Sequence, residues 1–543
     1  MELKSHRILE TDVLVLGSGG AGLRAAIEVK KHGIRALLVS KSRIGLGNNT
    51  AISGGGIAAG AGWREPDDTP EAHFKDTMIA GRYVNDRRLV KVMTQESEQQ
   101  ILDLARFGVN FRKRGEAFHA AHMGGHTYPR NVFGDNTIGT DITLPLLDYA
   151  TSVGVELKEG VLITKLLTAG NAVVGAVGID ESGRVYVFNA KSTILATGGA
   201  GHIYLRTSNA AGSTGDGFVL AYDVGVPLVD MEFVQFTVSG PNPEVFCARE
   251  GAVVRNSLGE NILEKYDISS SVKMTRDALS RAIMKEILEG RSPDGMTLTL
   301  DTTSISDERF EVLRALLPKN TPKDKRDFSI GVHSHFFMGG VKINENTETN
   351  VDRLYAAGEV CAGVNAANRL GGNALAEIFV FGKIAGERAA QRALGRETYS
   401  VDPGEPSAEV ERLRRLGSDG NEDVEKLQRL LKTTMWNKAA IIRNEEGLKE
   451  TLDEITSLRE RLLKASVVSY RELANYIRLG NMLVVSEMVV RAALLRTESR
   501  GAHYRSDYPE ESTTEWLKNI VISKKNGEMS LSTVPIEEDT ALF

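Results

Sequence analysis

The chain has 543 residues, 41% of them hydrophobic and 25% charged, with a formal net charge of −6. This is the composition of a globular protein of two or three domains, with no basic tract for nucleic acid and no polybasic helix for a membrane surface. The two cysteines, Cys247 and Cys361, lie far apart and in no CxxC pair, which excludes a disulfide framework and any cluster ligated by this chain alone. The opening MELKSHRILETD lacks the apolar stretch of a secretory signal, so a reducing, cytoplasmic setting is expected.

TDVLVLG, residues 11–17, is a short apolar run rich in β-branched residues and predicts a buried strand. GSGGAG follows, then LRAAIEVKKHG predicts a helix ending at Gly33, and RALLVSK predicts a second strand. A strand, a glycine turn, a helix and a strand of this length match a dinucleotide-binding unit. Gly17 suits the tight turn, Gly19 a close approach to a pyrophosphate, and Gly22 close helix–strand packing. The helix N-terminus offers N–H donors and a favourable dipole. A glycine turn that binds nothing is the alternative. The second strand ends in Ser40-Lys41 and not in the acid that grips a ribose, which argues against a plain NAD site.

Further along, GLGNNTAISGGGIAAGAG (45–62) is too rich in glycine to build a core and fits a loop and helix start around a large planar ligand. TILATGGAG (193–201) predicts another buried strand ending in glycines, and TGDG (214–217) sets an acid on a glycine turn. RLYAAGEV (353–360) repeats the strand followed by Gly and an acid; NRLGGNALAE (368–377) then leads into a helix, IFVFGKIAGERAAQRAL. The nucleotide domain is therefore expected in two parts, 1–220 and 345–402, with 221–344 inserted. Residues 403–543 are charged and helical in pattern. LGNMLVVSEMVVRAALL is interrupted by Glu487 and Arg491 and predicts a buried helix, not a membrane span. In GVHSHFFMGGV (331–341), His333 and His335 would share one side of an extended chain. Those residues alone leave three readings open: a metal site, a packed strand, or part of a catalytic pocket.

TDVLVLGSGGAG, LATGGAG, TGDG, LYAAGEV and ANRLGGNALAE, in this order, resemble the flavoprotein subunit family of succinate dehydrogenase, fumarate reductase and L-aspartate oxidase. MTRDALSR (274–281), HFFMGG (335–340), MWNKAAIIRNEEGL (435–448) and RTESRGAHYRSDYPE (496–510) extend the resemblance over nearly the whole chain. It implies an α/β fold: a split Rossmann-like FAD-binding domain (1–220 and 345–402), an inserted α+β capping domain (221–344) and a C-terminal helical domain (403–543). It implies bound FAD, with Gly17, Gly19, Gly20 and Gly22 at the pyrophosphate and Ser40 and Lys41 at the end of the second strand. Asn49, Thr50, Gly55, Gly56, Thr197 and Gly198 would line the cofactor. Asp216 and Glu359 would serve it, Glu359 at the adenosine ribose, and Ala374 and Leu375 would pack beside the isoalloxazine. Arg276 is implied as the proton donor and Arg369 as the bidentate carboxylate partner that polarises the reacting bond. His335 would bind a substrate carboxylate, with Gly339 and Gly340 passing close to the flavin. His333 stays outside this site, and no third metal ligand is evident near the pair.

This chain departs from the family pattern in four places. Asn49 stands where relatives carry the histidine bonded to flavin, so noncovalent FAD is expected. In EFVQFTVSG, Thr237 replaces the family's dicarboxylate-binding histidine, and Val238 and Ser239 replace Pro-Thr. In EVFCAREGA (244–252), Glu244, Val245 and Ala248 fall at the family's substrate threonine and relay pair, with Arg249 and Glu250 nearby as shifted substitutes. Asn365 and Ala366 stand where the family often has His-Gly. Half of the dicarboxylate clamp is therefore expected to be lost, with His126 and Arg130 in GGHTYPR as candidate replacements. The expected activity is hydride transfer at a C–C bond beside a carboxylate or carbonyl, on an organic acid or related enoate other than standard fumarate or succinate. The competing readings are an FAD protein that only relays electrons within a larger complex, and L-aspartate oxidase. An iron–sulfur partner subunit is expected, which could hold the chain at a membrane periphery.

Overall fold

The computed structural model describes residues 4–241, 246–247, 250–270, 275–314, 317, 321–395, 402–416 and 420–536. Its largest sheet has seven strands. The strand Lys4–Leu16 lies inside it, and Val13, Leu14, Val15 and Leu16 are all buried. The run lacks polar alternation because both of its faces are covered. It pairs in parallel with Ala36–Val39 on one side and Arg184–Leu195 on the other, and Glu156–Lys158 continues the parallel order outside Ala36–Val39.

The far edge of Arg184–Leu195 is shared. Its first half pairs antiparallel with Ala172–Asp180, and its last residues pair in parallel with Leu354–Ala356. The later segment thus returns to complete the first sheet. Leu16, Val39, Leu195 and Ala356 end at one edge, the edge at which open α/β sheets bind ligands. The helix Gly20–Lys31 packs along the helix Asn373–Ala393, which joins the two segments a second time.

Between these segments lies a four-stranded antiparallel sheet in the order Val234–Val238, Asp327–Phe337, Thr297–Asp301, Val253–Arg255. The helix Arg276–Leu288 packs on it. In Asp327–Phe337 the residues Phe328, Ile330, Val332 and Ser334 face inward, and His333 and His335 share the other side.

The C-terminal helices Val424–Lys438, Glu445–Leu462 and Tyr470–Leu495 pack on one another. Glu487, the acid that interrupts the last apolar run, is held by Arg459 and Arg491. No helix of the described residues is long and apolar enough to cross a membrane. The segment is not wholly helical. It closes in a hairpin, Lys518–Lys525 with Glu528–Pro535, docked on Leu228–Val229, which also pairs with Gly340–Val341. Asn526 and Gly527 both take positive φ in the two-residue turn, and an Asn-Gly pair between alternating stretches is a hairpin signal.

Candidate active site

At the carboxyl edge of the large sheet a cavity of about 440 Å³ runs between the sheet, the inserted segment and the start of Asn373–Ala393. Every residue expected to hold cofactor or act in catalysis lines it, with the exception of Gly22.

At one end Gly17, at φ +112, turns the chain off the first strand so tightly that a Cβ there would lie 2.1 Å from the Ala196 carbonyl oxygen. Gly22 does not reach the cavity; its Cα faces the Gly17 carbonyl, 2.0 Å from where its Cβ would be. Its role is helix–strand packing, and the expected pyrophosphate contact is corrected accordingly. Gly19 caps the helix without a side chain, and Gly20 N donates to Thr50 Oγ1 at 3.0 Å. Ser18 Oγ donates to Ser40 Oγ at 2.8 Å. The acid missing from the end of the second strand arrives from elsewhere: Lys41 pairs with Asp216, which also accepts from Asn481 Nδ2 and Thr214 Oγ1. Burial pushes the Asp216 carboxyl up, but Lys41 and these hydrogen bonds outweigh it and hold it below the usual range.

Midway, Asn49 opens a short helix capped by Asn48. Its Nδ2 donates to Glu359 Oε2 at 3.0 Å, and its Oδ1 accepts from Ala210 N at 2.8 Å and Ser213 Oγ at 3.2 Å. Glu359 Oε1 accepts from Phe337 N at 3.2 Å. The structure therefore groups Glu359 with Asn49 and Phe337. Burial raises its carboxyl above the usual range. Thr50, Gly55, Gly56, Thr197, Gly198, Ala374 and Leu375 complete this stretch of wall.

At the other end Arg276, His335 and Arg369 converge, with Met123, Thr237 and Phe336 beside them. Arg276 is the first residue of its helix, behind the N-cap Thr275. Asn368 Nδ2 donates to Asp277 Oδ1 at 2.9 Å, which ties that helix to the Arg369 loop, and Gln235 Nε2 donates to the Arg369 carbonyl at 2.8 Å. The Arg369 guanidinium lies 4.5 Å from the centroid of the Phe336 ring, and its Nε is buried without a hydrogen-bond partner. Burial and the neighbouring Arg276 lower it to about 9, against the pull of Glu359 and Glu377. Among the described residues no carboxylate forms an ion pair with it. Burial, Arg369, Arg276 and His333 hold His335 well below the usual histidine range, so its ring is neutral.

The other expectations resolve differently. His333 pairs with Thr237 across the ladder and does not line the cavity. No group of three or more metal-ligating side chains occurs among the described residues. Arg130 is fully buried between Asp68 (2.9 Å) and Asp76 (3.0 Å), and His126 Nε2 bonds the Gly371 carbonyl at 2.7 Å. Neither lines the cavity, so neither replaces a lost substrate contact; His126 braces the loop before Asn373–Ala393, and Arg130 is held by the two aspartates. Asn365 also faces away and donates to buried Glu377 at 2.6 Å, so its exchange for histidine does not open the clamp. Gly339 and Gly340 are absent from the cavity wall and lie against the carbonyls of Asp230 and Val360; their role is backbone packing, not approach to a flavin. Glu244, Val245, Ala248 and Arg249 lie outside the described residues. Sequence reasoning missed Met123, Ser208, Asn209 and Phe336. Ser208 and Asn209 stand only a few residues before TGDG, a position that could have drawn attention to them.

A glycine-lined groove at a sheet's carboxyl edge, running into a pocket of two arginines and a neutral histidine, defines a dinucleotide-dependent oxidoreductase. The FAD binding domain family matches residues 12–375, and the fumarate reductase flavoprotein C-terminal family matches 428–541. The chain belongs to the flavoprotein family of succinate dehydrogenase, fumarate reductase and L-aspartate oxidase, and FAD is its cofactor. An uncharacterized FAD-dependent oxidoreductase of Methanocaldococcus jannaschii is 37% identical over 95% of this chain and 97% of its own length. A subunit of the fumarate reductase (CoM/CoB) of Methanothermobacter marburgensis is also 37% identical, over 95% of this chain and 98% of that protein. The solved structure of Mycobacterium smegmatis Sdh1 in complex with UQ1 superposes with a TM-score of 0.88 at 30% identity, covering 98% of this chain and 95% of the other.

Proposed function

We propose that this oxidoreductase reduces, or in reverse forms, a C–C double bond conjugated to a single carboxylate, with an uncharged group at the far end. Bound FAD supplies the hydride chemistry. Arg369 and His335 hold the carboxylate, the arginine through its planar fork and the neutral histidine through one N–H. Arg276 transfers the proton at the carbon beside the one that exchanges hydride. Met123 and Phe336 exclude water around the reacting carbons. Thr237 offers one hydroxyl where a second carboxylate would need a cation or a ring N–H.

The observation that carries this reading is the convergence of Arg276, His335 and Arg369 on one cavity wall, with no carboxylate among the described residues paired to Arg369. Fumarate is the second reading, favoured by the 37% identity to the fumarate reductase (CoM/CoB) relative. That relative is one part of a larger enzyme by name, and this chain has two cysteines. The first fact supports a partner subunit, and the second puts any iron–sulfur cluster that carries the electrons on that partner and not on this chain.

The test is a panel of crotonate, cinnamate, a crotonyl thioester and fumarate with reduced viologen as donor. Monocarboxylic enoates should turn over faster than fumarate. Arg276→Ala should lose that turnover, and Thr237→His should shift preference toward fumarate. Efficient fumarate reduction by the wild type would overturn the substrate class. Unchanged enoate turnover in Arg276→Ala would overturn the assigned acid and leave electron relay as the function.

A further inference from the structure

Burial and the facing Arg369 and Arg276 favour the neutral form of His335, which carries one ring proton. Which nitrogen bears it decides whether the ring donates to a carboxylate or repels it with a lone pair. His335 Nδ1 lies 2.8 Å from Ser208 Oγ. Nε2 has no partner among the described residues and is not sealed from the cavity.

The Ser208 hydroxyl has two acceptors in reach, His335 Nδ1 and the Ser334 carbonyl at 3.3 Å. That carbonyl already accepts from Ser208 N at 3.0 Å and from Thr207 Oγ1 at 3.2 Å. The Thr207 hydroxyl is free to donate there because its oxygen accepts from Asn209 N at 3.1 Å. Two donors fill the carbonyl's two lone pairs, and the shorter contact is the one to the ring. The Ser208 proton is thereby directed to Nδ1. The segment is itself anchored: Ser334 N donates to the Arg206 carbonyl at 3.0 Å, and Asn209 Nδ2 donates to the His335 carbonyl at 2.7 Å.

We infer that Ser208 is a positioning residue that holds His335 in its Nε2–H tautomer, so that the ring presents a neutral N–H donor to the cavity. The charged and titratable groups facing the ring are Arg276, Arg369 and His333. All three oppose a second proton on it, so the serine sets the tautomer without competing with protonation. The inference rests on the reading that His335 meets a substrate carboxylate, but the tautomer can be read without any substrate.

Histidine-labelled 15N spectra of the FAD-loaded protein test it, with His335→Gln used to assign the resonance. The expected spectrum shows a protonated Nε2 and an unprotonated Nδ1, and the reverse pattern overturns the inference. Crotonate binding to the oxidised protein, followed by flavin absorbance, supplies the second measurement. Ser208→Ala should bring up an Nδ1–H signal and weaken crotonate binding by about three- to tenfold, while Ser208→Thr should recover both to within about twofold at equal flavin content. An alanine variant with unchanged spectrum and affinity also overturns it. A wild type with the Nε2–H signature that binds no carboxylate leaves the tautomer assignment standing and defeats the substrate reading.

Discussion

Exchanging Arg369 for lysine keeps the charge and removes the fork. In the structure Arg369 is 7% exposed; its guanidinium lies over Phe336, donates through Nη1 to the Leu370 carbonyl at 3.3 Å and leaves Nε unpaired. Free donors in one plane fit a carboxylate with two parallel bonds. A lysine ammonium retains one of them. Losing one hydrogen bond to a charged group costs about 1.5–3 kcal/mol, or about 10- to 150-fold in kcat/KM. The assay pairs steady-state enoate reduction with crotonate titration of the oxidised protein. Arg392→Lys serves as control, because Arg392 pairs with Asp352 on the surface, away from the cavity. The Arg369→Lys form should lose affinity and kcat/KM together, and the control should lose neither. An Arg369→Lys variant that binds and turns over like the wild type would refute the bidentate assignment.

Acid or heat denaturation should release all flavin into the supernatant, since the Asn49 carboxamide offers no nucleophile; flavin fluorescence on the chain in a denaturing gel would contradict this. Purification from the native source should bring down an iron-rich polypeptide, and full-rate turnover by the isolated chain with physiological donors would remove the need for it. Burial, together with the Arg130 charge, holds His126 at about 4 against an ordinary 6.5, with the Gly371 carbonyl bond opposing. The unfolded chain therefore binds a proton that the folded chain refuses at this site, so the stability contributed by His126 is fully present above pH 6.5 and is lost as pH drops toward 4. The slope from this residue is about 1.4 kcal/mol per pH unit. His126→Gln, which retains an N–H for Gly371, should show a smaller drop in urea midpoint between about pH 7 and pH 5 than the wild type. An unchanged drop would mean that His126 does not carry it.

Much of this protein is written locally. TDVLVLGSGGAG specifies a buried strand, a turn and a helix start because an unbroken apolar run and a backbone at positive φ are properties of neighbouring residues. The order of the glycine motifs carries the fold class and the cofactor for the same reason. The Asn526–Gly527 hairpin is equally local, though it hides behind the strong helical pattern that precedes it. Facing direction is another matter. Asn365 and Thr237 both differ from the family pattern, yet Thr237 lines the cavity and Asn365 turns to Glu377. Arg130 looks available in the sequence and is held by two buried aspartates. The acid absent after the second strand comes from Asp216, far along the chain, and the partner of His335 comes from Ser208 on another segment. Such pairings depend on how distant strands register and which side chains their packing turns inward. The sequence alone determined the fold class and the cofactor, and the tertiary structure decided which residues meet at the site, because contacts between distant segments exist only once the sheets and helices have closed around it.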